Sequence, residues 1–74
     1  MNLRQKLRHQ QLERLASKLF AYGLGSDVRV KVLAHPQIAE ASVDEVAREI
    51  VADRNIPVAR RSAMLARRLL AKYK

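Results

Sequence analysis

The chain has no cysteine and only two histidines, His9 and His35, far apart in sequence. Disulfides and thiolate metal sites are excluded, and nothing in the sequence points to a cofactor. The lack of thiols fits a reducing compartment, and a cytoplasmic location is expected. Aromatic residues are also scarce, with only Phe20, Tyr22 and Tyr73 present. A core this poor in rings reads as close-packed helices. No apolar run approaches the roughly 20 residues that span a bilayer, and no secretory apolar segment follows Met1. The first twelve residues are basic and acid-free, but they lack the Ser-richness of an organelle-targeting segment. The largest absence is at the other end, where residues 54–74 contain no acid.

What is present suits one small folded unit. The 74 residues are 49% apolar, too many for a disordered polycation. A domain of this size buries only about 60% of the surface its unfolded chain exposes. Without a disulfide or metal staple, helix packing and self-association are the sources of stability left to it.

Charge is polarised along the chain. Residues 1–22 hold Arg4, Lys6, Arg8, Arg14 and Lys18 against Glu13, a net of +4. Residues 23–53 hold Arg29, Lys31 and Arg48 against Asp27, Glu40, Asp44, Glu45, Glu49 and Asp53, a net of −3. Residues 54–74 hold Arg54, Arg60, Arg61, Arg67, Arg68, Lys72 and Lys74, a net of +7. Such a distribution gives a directed field and points to a polyanionic partner.

Residues 3–22 lack Pro and Gly, and Leu12, Leu15, Ala16 and Leu19 form a helical stripe. Leu3 and Leu7 drift off that stripe, so the first two turns are expected to be loose or to pack on a partner. Gly23 and Gly25 read as a helix C-cap and tight turn. Ser26 and Asp27 then suit an N-cap and first turn. In 27–34, Val28, Val30 and Val32 alternate at the strand period, yet no second strand pattern exists to pair with. A short helix ending before Pro36 is the expected outcome; the strand alternative would need a second copy of the chain. Ser42-Val43-Asp44-Glu45 matches a capping box. Val43, Val46, Ala47, Ile50 and Val51 continue it as an amphipathic helix over about 43–53. Arg54, Asn55 and Ile56 form a three-residue connection, with Asn55 as a cap and Pro57 in the first turn of a last helix over about 57–73.

At 100° per residue, that last helix sorts into two sides. Val58, Ala59, Ser62, Leu65, Ala66, Leu69, Leu70 and Tyr73 fall on one. Arg60, Arg61, Arg67, Arg68, Lys72 and Lys74 fall on the other, with Met64 and Ala71 among them. A solvating face normally mixes signs, because like charges at i, i+4 destabilise a helix. Six cations without an acid instead suit phosphates and guanine edges, which favour Arg. The expected core is Leu12, Leu15, Leu19, Val46, Ile50, Leu65 and Leu69. The expected fold is all-α, a three- to four-helix bundle in a single domain.

A capped helix, a short connection and a basic helix over 42–74 together resemble the helix-turn-helix arrangement of DNA-binding regulators. Ala47 matches the small residue that family carries in its first helix. The turn here lacks a glycine, and Pro57 stands where the family has a free amide. The resemblance implies major-groove docking of the last helix, with Arg60, Arg61 and Met64 reaching base edges. Arg67, Arg68 and Lys72 would bind phosphates, and Arg4, Lys6 and Arg8 would form a flanking arm. One such module makes few base contacts, so a homodimer is the natural working form. The alternative is a protein-binding module, an antagonist or adaptor docking on an acidic surface of a larger protein; Met64 within the basic face suits such an interface. RNA or ribosome binding is a further alternative. No aromatic interleaves the basic face, which disfavours single-strand stacking. No Ser, His and acid cluster suggests an enzyme or a small-molecule substrate.

Overall fold

The computed structural model describes residues 2–73 and contains four α-helices: α1 (Leu3–Ala21), α2 (Ser26–Leu33), α3 (Glu40–Ala52) and α4 (Arg61–Lys72). A single 3-10 turn, Val58–Arg60, leads into α4. No strand occurs among the described residues, so 27–34 resolves as helix. α1 packs on α2 and α3, and α4 packs on the same two.

Each helix boundary has a local cause. α1 opens with a reciprocal box: Asn2 Oδ1 accepts the Gln5 amide at 2.8 Å, and Gln5 Oε1 accepts the Asn2 amide at 3.1 Å. Its other end is a Schellman motif. Leu24 N–H bonds to Leu19 O, Gly23 N–H bonds to Phe20 O, and Gly23 adopts φ +82°. Leu19 and Leu24 are both buried where the chain reverses.

Three expected starts shift. Gly25, not Ser26, occupies the N-cap of α2, and Ser26 is its first helical residue. α3 begins at Glu40, so Ser42 sits one turn inside it. There its hydroxyl accepts the Ala39 amide at 3.3 Å, while Asp44 is engaged elsewhere. Pro57 is extended, with ψ 153°, and so cannot lie in the last helix. Regular α-geometry begins only at Arg61, and the connection Asp53–Pro57 exceeds the three residues expected. Asn55 does not cap the following turn; its own amide bonds to Asp53 Oδ1 at 2.9 Å.

The core holds Leu15, Leu19, Val46, Ile50, Leu65 and Leu69 as expected, joined by Leu24, Val32, Ile38, Val43 and Ala47. Leu12 is only half-buried, because α1 leaves the body at that turn. Val51, Val58 and Ala59, placed on apolar faces by periodicity, are exposed. Val58 and Ala59 precede the regular helix, so the 100° rule does not orient them. Residues 2–11 of α1 are exposed throughout and extend past the other helices. The molecule therefore measures 46 × 19 × 18 Å. Its radius of gyration, 12.9 Å, exceeds the value near 11 Å typical of a compact chain this long.

Candidate nucleic-acid interface

α4 is held by Leu65 and Leu69, one turn apart and both buried. Their spacing fixes which side faces out. Arg67 lies on that outer side and is exposed, and Arg60, the last residue of the 3-10 turn before α4, is exposed as well. Met64 lies half-buried between them, and with Ala63, Ala66 and Leu70 the three border a shallow groove of about 410 Å³. Cations thus flank an apolar floor. Lys72 is also exposed, its ammonium 5.8 Å from the Tyr73 ring.

The remaining two arginines of α4 lie toward its flank. Arg68 is half-buried, with Nη2 3.6 Å from Asp53 Oδ2. Arg61 is half-buried, and its Nε is buried without a hydrogen-bond partner. Among the described residues, no carboxylate pairs with Arg60, Arg67 or Lys72. The expected even row of cations is therefore three open ones and two set against the body. Lys74 lies outside the described residues.

Arg4, Lys6 and Arg8 are exposed on the protruding turns of α1. Arg4 and Arg8 share a face with Leu3 and Leu7 around one shallow surface patch. Leu3 and Leu7 are 73% and 50% exposed. Because α1 packs on α2 and α3 and not on α4, the arm and the outer face of α4 are separate basic regions.

Periodicity did not reveal what ties the C-terminal end of α1 to α3 and α4. Lys18 donates to Asp44 at 2.6 Å, and the Tyr22 hydroxyl donates to the other oxygen of Asp44 at 2.8 Å. Glu40 lies 3.9 Å from the same ammonium. The Lys18 bond, then the Tyr22 bond, hold the Asp44 carboxyl below its ordinary range. The same carboxylate raises Lys18 and Tyr22. A sequence signal existed: Lys18 and Tyr22 stand i, i+4 on α1 and can share one acid. Ser62 Oγ completes the tie by donating to Tyr22 O at 2.6 Å.

His9 is exposed, 3.0 Å from Glu13, and His35 lies in the loop after α2. Among the described residues, no group of His, Cys, Asp and Glu is arranged to hold a metal ion. No helix among them is long and apolar enough to cross a membrane. No protein-family model matches the chain, and neither a curated protein nor a solved structure matches it.

Proposed function

We propose that this chain is a small DNA-binding regulator or accessory factor that lays α4 in the major groove of duplex DNA. The observation that carries this reading is the outer face of α4. Arg67 on α4 and Arg60 in the 3-10 turn leading into it stand exposed and unopposed by acid on either side of Met64, and α4 itself is anchored by two buried leucines. A rigid helix bearing exposed Arg presents a planar fork to phosphates and guanine edges in a fixed register. The apolar groove between them suits a thymine methyl. Arg4, Lys6 and Arg8 add a second basic region that engages the backbone without reading sequence.

Fluorescence anisotropy on labelled duplexes tests the reading. Raising salt from about 50 to 200 mM should weaken binding by orders of magnitude if six or more phosphates are contacted. Affinity that stays flat over that range overturns the proposal.

A second reading, docking on an acidic protein surface, is favoured by one observation. Leu3 and Leu7 remain exposed beside Arg4 and Arg8. An interface with such an apolar centre loses less affinity with salt, and substitution of those leucines would weaken it.

A further inference from the structure

One side of the protruding stretch of α1 is a trough. Near the tip, Leu3, Arg4, Leu7, Arg8 and Gln11 border a shallow depression of about 560 Å³. Arg8 and Gln11 also border a second depression of about 470 Å³. Leu12 and Leu15 of α1 line that one, with Pro36, Ile38 and Ala41 across from them. The shared residues make the two continuous, from exposed Leu3 and Leu7 to buried Ile38. Among the described residues, no carboxylate pairs with Arg4 or Arg8. The acid at the trough's inner end, Glu40, lies 3.9 Å from the Lys18 ammonium. Residues 1–12 hold Arg4, Lys6 and Arg8 and no acid at all.

We infer that this trough is the docking site for an acidic amphipathic helix of a partner protein. The inference gives a place and a partner to docking on an acidic protein surface; it rests on that reading and not on DNA binding by α4. Charge selects the partner. Exposed leucines flanked by unanswered arginines are complemented by apolar side chains flanked by carboxylates. Backbone chemistry selects its form. The amides and carbonyls of α1 are engaged within the helix, so an extended strand finds nothing to pair with, whereas a helix satisfies its own backbone. From Leu3 to Gln11 the trough spans about 12 Å, which matches about two turns of a partner helix. A second copy is a poor occupant, because each chain carries +8 and an arm-to-arm contact sets like charges together. A flat lipid surface meets Leu3 and Leu7 but not the recessed Ile38. The partner also completes the ordering of the arm. A lone helix of about ten residues is marginal in water, and the Asn2–Gln5 box only primes its first turn.

The test is an NMR titration of the isotope-labelled full chain. The probe is a synthetic helical peptide with leucine at i, i+3, i+4 and i+7 and glutamate elsewhere. Its counterparts carry glutamine for every glutamate, or alanine for every leucine. Saturable shifts are expected at Leu3, Leu7, Gln11, Leu12 and Ile38, with both counterparts at least about tenfold weaker. Leu3→Ala with Leu7→Ala should weaken the acidic peptide by at least about tenfold, and Arg4→Gln with Arg8→Gln should weaken it and flatten its salt dependence. All four positions are exposed, so both variants should keep the parent circular dichroism spectrum. Amide exchange of residues 5–10 should slow when the peptide binds. Shifts at Met64 and Arg67 with none on the arm overturn the inference but leave docking on an acidic surface standing; no saturable shift anywhere ends both. Equal binding by the alanine peptide means bare charge attraction and overturns the inference. Leu3 and Leu7 shifts on raising protein concentration alone assign the trough to a second copy instead. Tighter binding to phosphatidylglycerol vesicles than to the peptide, lost with Leu3→Ala and Leu7→Ala, assigns it to a membrane.

Discussion

The two basic regions, the arm at the start of α1 and the outer face of α4, carry similar charge on different foundations. α4 sets its cations opposite Leu65 and Leu69, both buried, so their positions are fixed by the core. The arm has no such anchor: residues 2–11 are exposed, Leu3 and Leu7 among them. Cations on a fixed helix can be matched to a particular pattern of acceptors. Cations on an unanchored helix supply attraction without a pattern. Charge counted along the sequence does not separate these two cases; burial does.

The sharpest way to break this contrast is to cut each side's leucines. Leu65→Ala or Leu69→Ala should lose about 2–5 kcal/mol, enough to unfold much of so small a domain. Leu3→Ala or Leu7→Ala should change stability by less than about 0.5 kcal/mol. Urea denaturation followed by circular dichroism reads both, and comparable losses would mean that the arm is packed after all.

In DNA binding, Arg60→Ala should lose about 1–3 kcal/mol and relax sequence preference. Arg4→Ala or Arg8→Ala should weaken all duplexes alike and lower the salt slope by about one. Met64→Glu should abolish binding, since it puts an anion at the centre of the α4 face. Anisotropy on selected and random duplexes distinguishes these outcomes; uniform small losses for every arginine would leave α4 no different from the arm.

The link that orients α1 against α4 can be strained at Gly23. There φ is +82°, and an added Cβ would lie 2.9 Å from Ser62 Oγ. Gly23→Ala should therefore lose about 1–2 kcal/mol from the left-handed conformation, with the Ser62 contact adding to it. A melting point equal to that of the parent chain would refute this.

The smallest expected effect is on pH dependence. Asp44 is lowered by Lys18 and Tyr22, so its contribution is present above about pH 4 and is lost as pH falls through its depressed value. Lys18 and Tyr22 are raised by Asp44, so their contributions hold below about pH 10 and are lost as pH rises through their elevated values. Melting temperatures of Asp44→Asn across that span should show shallower acid and alkaline limbs than the parent. Coincident curves would show that the triad carries no linkage.

Much of the fold was legible because its helices repeat leucine and valine at the helical period. Leu15, Leu19, Val46, Ile50, Leu65 and Leu69 all emerged from spacing alone. Helix starts were less legible, since Ser42 suits an N-cap as well as it suits the interior of the first turn, where its hydroxyl accepts the Ala39 amide. The outer face of α4 was readable in outline. Its division was not, because Arg61 and Arg68 turn toward neighbours, the core flank and Asp53, that come close only after folding. Val32 and Ile38 escaped notice for a related reason: they sit in a short helix and a loop, where no periodic stripe is long enough to mark an inward side.

The bond from Ser62 to the Tyr22 carbonyl joins residues 40 apart in sequence. Closing a loop of that length has an entropic penalty that is met only once the helices between are in place. The last turn of α1 and the first turn of α4 should therefore open as one cooperative unit. In amide hydrogen exchange, the amides of Lys18–Tyr22 and Leu65–Leu69 should share a common, slow opening free energy. Those of residues 5–10, on the exposed turns of α1, should exchange far sooner, with no cost to the rest of the molecule.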